Sequence, residues 1–512
     1  MQSESKRRFS LFSACSITLA ILTACGDGGG ELFDNLTTTP TEAPTLISSA
    51  STVPAGGGGG STTTTPSSGS VTQPAVERFE AIAQDGEGDQ NKSLANSWGF
   101  HQPRVTAHND GTMRVLYLKT NANSALGGKI QWRLMKRAAS GGWSQEATGY
   151  SYDDVYLFRD PTTDLAHVLT WPTAGVATVL SGPSYAGHVV QGNWPRIVAP
   201  VGRNYGGAGI GTDGTFCLKV SRELPSLPET SQSYTDYTCG KHNKSTGAWN
   251  WNSQSSHYIG ARRAYDYVFP GASGTTGTFL ATSQANPYKF ATSMIQSTED
   301  YIFNGVRFYT SSTNGDIPWK QTDILSSITM ALPGQGTTPP TARQSDGFVD
   351  SKRRLLTTYY LQDPLGTWTR GSYLVVTNTS GSVLYRTRLA VPEYGYVRIF
   401  EDAKHRLWVL WTSARPTLTS MYLYRLNEGT GSSGTSTFQV SSTPTVLDAK
   451  FKPYQIVGNV FLATPRGGSA ITNAVHGLFL GCDNTYVSGD DSCFPNGSGK
   501  QRIFGFRLRL PD

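Results

Sequence analysis

One short strand motif recurs seven times along the chain, and that recurrence limits the fold more than any other feature. It reads "RVLYLK" (114 to 119), "AHVLTW" (166 to 171), "TFCLKV" (215 to 220), "TFLATS" (278 to 283), "LLTTYYL" (355 to 361), "RLWVLWT" (406 to 412) and "VFLATP" (460 to 465). Turn residues bound each run, and almost no stretch has the apolar spacing of a helix. Most copies follow a turn such as Asn109-Asp110-Gly111, Thr212-Asp213-Gly214 or Glu401-Asp402-Ala403-Lys404, and another short strand precedes that turn, as in "DVYLFRD" and "YVRIFED". The unit is therefore a hairpin. With Val115, Val168, Cys217, Phe279, Thr357, Val409 and Phe461 as markers, the spacings are 53, 49, 62, 78, 52 and 52 residues. A glycine or asparagine turn leading to tryptophan keeps the same period, at Trp143, Trp194, Trp249, Trp319 and Trp368.

A repeat of roughly 50 to 60 residues with about four short strands cannot cover both faces of its own small sheet, but stacked copies cover one another. The expectation is an all-β chain, a β-propeller of seven blades over residues 75–512. Pairing of an early strand, "VERFEAIAQ" (76 to 84), with the last, "RIFGFRLRL" (502 to 510), would close the ring and protect both edges. Two β-sandwiches are the alternative; they also need many short strands, but no sevenfold recurrence.

The first 74 residues have a different character. Lys6, Arg7 and Arg8 precede a run from Leu11 to Ala24 that is mostly apolar or small, the layout of a secretory signal. Ser10, Ser13, Ser16 and Thr18 interrupt it, and it is short for a membrane span. At its end, Leu22-Thr23-Ala24-Cys25 resembles the lipobox of bacterial lipoproteins. That resemblance implies cleavage after residue 24, acylation of Cys25 and a lipid anchor in a membrane; Gly26 in place of an aspartate implies the outer membrane. From residue 25 to 74 follows a Gly, Ser, Thr and Pro tract without lysine or arginine, which cannot bury enough apolar surface to offset its ordering entropy. As a flexible coil of about 50 residues it spans roughly 40 Å root-mean-square.

The tryptophan turns and the hairpins with Asp-Gly tips are similar to the repeats of sialidase-like, or BNR-repeat, propellers, whose box reads Ser-x-Asp-x-Gly-x-x-Trp. The nearest match runs from Ser312 to Trp319, with Asn314 for the aspartate and Asp316 for the glycine. No box is intact, so the resemblance carries architecture and no catalytic residue.

The formal charge of +6 is spread without a basic run, which argues against a nucleic-acid partner. Besides Cys15 in the signal and Cys25, four cysteines remain; proximity pairs Cys217 with Cys239 and Cys482 with Cys493, although three pairings are possible. There is no CxxC, CxxCH or HExxH, so the sequence supports no metal site, haem or thiol redox chemistry and announces no cofactor. His167 and His405 are expected at strand edges; His108, His188, His242, His257 and His476 lack metal-ligand spacing and are expected mostly at the solvated surface.

In a propeller the segment leading into each innermost strand opens at one mouth of the central channel, the natural place for a site. Those segments, read in chain order, supply His101 and Arg104, then Tyr152, Asp153 and Asp154, then Tyr205. Further along they supply Arg262, Arg263, Tyr265 and Asp266, then Arg343 and Asp346, then Glu393 and Tyr394, and last Tyr454. Tyrosine faces stack on sugars, arginine pairs with carboxylates, and paired carboxylates supply acid and base to a glycosidic bond. His101 or a tyrosine would serve as the proton-transfer group in a lyase elimination. The same residue types also cement neighbouring sheets, and of Asp153 and Asp154 only one can face the wall. Two function classes follow: a lipoprotein that binds a glycan, a peptide or an envelope protein, and a carbohydrate-active hydrolase or lyase. A quinone-type dehydrogenase has less support.

Overall fold

The computed structural model describes residues 72–82, 101–119, 130–173, 175–192, 194, 206–223, 233–258, 262–273, 277–287, 301–311, 320–325, 341–362, 370–378, 381–393, 395–413, 420–431, 436–447, 455–482 and 501–512. The lipobox with Cys25 and the tract up to residue 71 lie outside them. Among the described residues there is no α-helix, and no helix is long and apolar enough to cross a membrane.

The strands form antiparallel sheets whose members follow chain order from an inner strand outward. In the first sheet Val105–Ala107 pairs with Met113–Lys119, then come Ile130–Arg137 and Trp143–Ser151. The same order starts again from Tyr156–Arg159 in the second sheet, from Gly207–Ile210 in the third and from Gly395–Glu401 further on. Two such runs, begun by Arg262–Ser273 and Thr341–Val349, merge into one eight-stranded sheet through a single parallel pairing of Asn304 with Ala342. The last sheet joins Gln455–Leu462, Ala474–Cys482 and Gln501–Arg509, and its fourth strand is Ala75–Ala81 from the other end of the chain. The early strand thus pairs with the final one, Phe79 opposite Phe506.

The inner strands pack side by side in chain order, and the last of them lies against the first. Burial follows from that circuit. Tyr156–Arg159 and Gly207–Ile210 are buried throughout, whereas the outer strand Val383–Arg388 is largely exposed. The core is accordingly a set of clusters between neighbouring sheets: Leu116, Trp132, Leu157 and Val168 between the first and second, Phe158, Trp171, Phe216 and Trp249 between the second and third. The fold is propeller-like and all-β.

The hairpin aspartates have a common use. The Asp110, Asp213 and Asp402 carboxylates accept backbone N–H bonds from Thr112, Thr215 and Lys404 at 2.8, 3.0 and 2.9 Å, fixing the turn out of each inner strand. Two of the repeated tryptophans also act alike. Trp143 opens the outer strand of the first sheet and donates its indole N–H to Glu80 on the closing strand at 2.9 Å; Trp249, placed likewise in the third sheet, donates to Ser181 of the second at 3.1 Å.

Six of the seven strand markers share one position, the second strand of their run, but Phe461 lies on the inner strand Gln455–Leu462. The apolar run "VFLATP" imitates the motif because an inner strand buried on both faces is as apolar as a second strand. Cys217 and Cys239 sit opposite each other on adjacent strands and form a disulfide, as expected. The side chain of Cys482 and all of Cys493 lie outside the described residues.

Candidate functional site

Seven of the residues singled out at the mouth of the channel, His101, Arg104, Asp153, Asp154, Tyr265, Asp266 and Asp346, meet in one buried polar cluster. Local backbone explains how. In the inner strand Arg262–Ser273 the register slips between Ala264 and Tyr267, so Tyr265 and Asp266 occupy a bulge. Tyr265 pays for this with a φ of 59°, a conformation that bulky residues rarely adopt and that is concentrated at functional sites. A second bulge, between Gln344 and Asp346, re-aims the inner strand of the next run. Gly207 permits the close approach around the first: a Cβ there would stand 2.2 Å from the Asp266 carbonyl oxygen.

His101 is the hub. Its Nε2 lies 3.8 Å from Asp154 Oδ2, and its ring meets Tyr265 and Tyr156 edge-on with centroids 5.5 and 6.2 Å apart. Burial, then the charges of Arg466 and Arg104, hold its pKa well below the ordinary histidine value, so the imidazole is neutral. Tyr156 is pushed the other way, well above the usual phenol, by burial and by Asp154 and Asp153; its hydroxyl donates to the Gly206 carbonyl at 3.1 Å. The aspartate pair divides its work. Asp153 accepts the backbone N–H of Asp154 at 2.8 Å and so shapes the turn, leaving Asp154 to face His101.

Two guanidinium groups complete the cluster. Arg398 donates to the Ser345 carbonyl at 2.5 Å and to the Val460 carbonyl at 2.7 Å, and lies 4.0 Å from Asp346. Arg466 comes from a short 3-10 turn, Pro465–Gly467, set against the inner strands: it donates to the Ala208 carbonyl at 3.1 Å and stacks over the Tyr267 ring at 4.6 Å. Burial raises the Asp346 carboxyl and lowers Arg466, each opposed by its neighbouring charges. Gln102, Asp346, Arg398, Phe461, Thr464 and Arg466 line a small cleft.

The sequence pattern does not single out Tyr156, Tyr267, Arg398 or Arg466. Tyr156 and Tyr267 lie two residues after Asp154 and Tyr265, but Asp154 precedes its strand and the bulge at Tyr265 and Asp266 breaks the alternation that would have placed Tyr267. Arg466 follows its strand and reaches the cluster only through the turn.

Other expectations fare differently. Tyr152 is half-buried and packs into the apolar cluster between the second and third sheets. Glu393 is exposed and pairs with Arg388 at 3.1 Å on the surface, away from the cluster, because it precedes the point where its chain enters the interior. Tyr205, Tyr394 and Tyr454, and the side chains of Arg262, Arg263 and Arg343, lie outside the described residues. His108 and His167 are buried rather than solvated or marginal, because each stands on or beside a hairpin flanked by neighbouring sheets.

No family model and no curated protein matches the chain. Among solved structures it is similar to a polysaccharide lyase, with 8% identity and a TM-score of 0.49 over 86% of this chain and 100% of that one. It is also similar to an ulvan lyase of family PL25 bound to -[GlcA(1-4)Rha3S]-, with 10% identity and a TM-score of 0.45 over 80% of this chain and 94% of the other. An α-L-arabinofuranosidase of Fusarium graminearum in complex with arabinobiose gives 10% identity and a TM-score of 0.38 over 80% and 92%.

Proposed function

We propose that the chain is a seven-bladed propeller that cleaves an acidic polysaccharide by elimination, at the cluster around His101. The observation that carries this reading is geometric: the buried His101 and Tyr156 rings meet edge-on, 6.2 Å apart, with Arg466, whose charge acts on both, lining a cleft beside Arg398; burial favours the neutral imidazole and the protonated phenol. Elimination needs such a pair. A neutral base takes the proton from the carbon next to a uronate carboxylate, the electron pair forms a C=C bond, and the glycosidic C–O bond breaks as the leaving oxygen takes a proton from an acid. In this assignment His101 is the base, Tyr156 the acid, and Arg398 and Arg466 at the cleft hold the uronate carboxylate. Asp154 and Tyr265 position His101.

The seven-blade count is supported by splitting the eight-stranded sheet at its one parallel pairing and by the closed circuit of inner strands. The remaining expectations stand as proposals on the sequence: a signal over 1–24, an acylated Cys25, a tether to residue 74 and an outer-membrane location for the domain from 75 to 512.

A panel of uronate-bearing polysaccharides tests the reaction. Elimination gives new reducing ends together with the ultraviolet absorbance of an unsaturated uronate. Reducing ends without that absorbance mean hydrolysis, and glycan binding without either means a binding protein; both results overturn the assignment.

A further inference from the structure

A second group of side chains meets in the seam between the second and third sheets, outside the cluster around His101. Asp160 directly follows the inner strand Tyr156–Arg159 of the second sheet, His167 stands on its neighbour opposite Phe158, and His242 stands on the third strand of the third sheet opposite Trp249. One ligand atom from each lies within 4.8 Å of the other two. Asp160 and His167 are buried, at 1% and 0% exposure, and His242 is half-buried.

The surroundings have the form of a prepared site. His167 Nδ1 is 2.9 Å from Ser181 Oγ, which fixes the ring, while its Nε2 is buried without a hydrogen-bond partner. His242 Nδ1 is likewise buried with no hydrogen bond made to it, while the ring interacts with the Gly247 backbone. Asp160 is held in place by Thr162 and Thr163, whose hydroxyls donate to its two oxygens at 2.8 Å. Trp249 walls one side, with its ring centroid 5.1 Å from His167 and 5.5 Å from His242. Two unpaired imidazole nitrogens beside a buried carboxylate are poor core packing, because each lacks the bond it would make in water. They are good ligands.

We propose that Asp160, His167 and His242 bind a zinc ion that ties the second sheet to the third. Two imidazole nitrogens and one carboxylate oxygen are the donors of zinc rather than of calcium or magnesium, which take oxygen alone. At zinc-ligand distances of about 2.0–2.1 Å the ligand atoms of a tetrahedron stand about 3.3 Å apart, so the three side chains close on the ion by small rotations. A water takes the fourth position. Ser181 then accepts the Nδ1–H of His167 and sets the tautomer that leaves Nε2 for the metal. The ligands are 7 and 75 positions apart, which is why no spacing motif announces them.

The purified full chain, stripped with a chelator, is titrated with zinc by calorimetry and with cobalt by visible absorbance. The expected result is one equivalent of zinc, a raised thermal midpoint, and the cobalt bands of a tetrahedral site. His242→Gln, at the half-buried position, keeps the circular dichroism of the native chain while zinc affinity falls at least about tenfold and the cobalt bands change; Asp160→Asn weakens binding likewise. A stripped chain that takes up no zinc overturns the site, as does His242→Gln with unchanged affinity and cobalt spectrum. Zinc binding that leaves the thermal midpoint unmoved overturns the tie between sheets.

Discussion

Lys219 and Asp266 form an ion pair with no exposed surface on either side chain, joining the second strand of the third sheet to the bulge of the following inner strand. Gly207 faces Lys219 across the strand pair, and its missing side chain leaves the path by which the ammonium reaches Asp266. Removing one partner takes the opposite charge from the other inside the fold, at a cost of about 3–5 kcal/mol, whereas replacing both by apolar residues removes both buried charges. Asp266→Ala is therefore expected to lower the urea midpoint strongly, and Lys219→Met with Asp266→Leu to recover much of the loss. Equal midpoints for the single and double variants would contradict the pairing.

The turn that carries Arg466 depends on Gly468. Its φ is 85°, and a Cβ there would stand 1.7 Å from the Arg159 carbonyl oxygen, while Arg159 donates to the Gly468 carbonyl at 2.8 Å. Both the conformation and the space demand glycine. Gly468→Ala is expected to cost more than about 1 kcal/mol, read as a lower thermal midpoint, and to displace Arg466 from Tyr267. A variant with the wild-type midpoint would show that the turn is not packed as described.

Acid should weaken the fold through two histidines that burial keeps neutral. Burial, then nearby arginines, lowers both His108 and His476 from 6.5 to about 4. The folded chain keeps them neutral in that interval while the unfolded chain binds their protons, so stability present above about 6.5 is lost as pH falls toward 4. Chemical denaturation at about pH 7 and about pH 5 should give a lower midpoint in the more acidic buffer, with a smaller difference in His108→Gln. A flat profile for the wild type would refute the assignment.

How much of this was legible in the chain follows from what each feature depends on. The hairpin turns were readable because Asp110, Asp213 and Asp402 act on backbone two residues away. The tryptophan turns were readable as a period, but not as staples, since Glu80 and Ser181 lie 63 and 68 residues from their partners. At the site, His101 and Asp154 were within reach because they lead into inner strands, and Asp266 because it lies early in one. The bulge at Tyr265 was not, since it is a property of pairing with another strand, and the same dependence hid the zinc ligands. Glu393 and Phe461 misled for opposite reasons: one has the right segment and the wrong exposure, the other the right apolar pattern on a neighbouring strand.

The anchor is testable apart from the fold. In a lipoprotein-processing host the native sequence should incorporate labelled palmitate and fractionate with the envelope. Cys25→Ala removes the thiol that would carry the lipid and should leave the product unlabelled. Continued labelling of that variant would exclude Cys25 as the attachment point.

The assignment of base and acid makes the last prediction. His101 loses its proton below the ordinary histidine pKa and Tyr156 keeps its own above the ordinary phenol pKa, so both are in the working state across the neutral range. Eliminase activity should rise as pH climbs through the depressed His101 value and then hold a plateau that ends only in strong alkali. Loss of a positioned base or acid costs roughly 10²–10⁴-fold in rate, so His101→Gln and Tyr156→Phe should each lower kcat by that order while glycan binding persists. Asp154→Asn should act differently: by removing a carboxylate 3.8 Å from His101 Nε2 it lowers the histidine pKa further and shifts the acid limb of the profile downward. A drop in kcat with an unshifted acid limb would mean that Asp154 shapes the turn and does not bias the base.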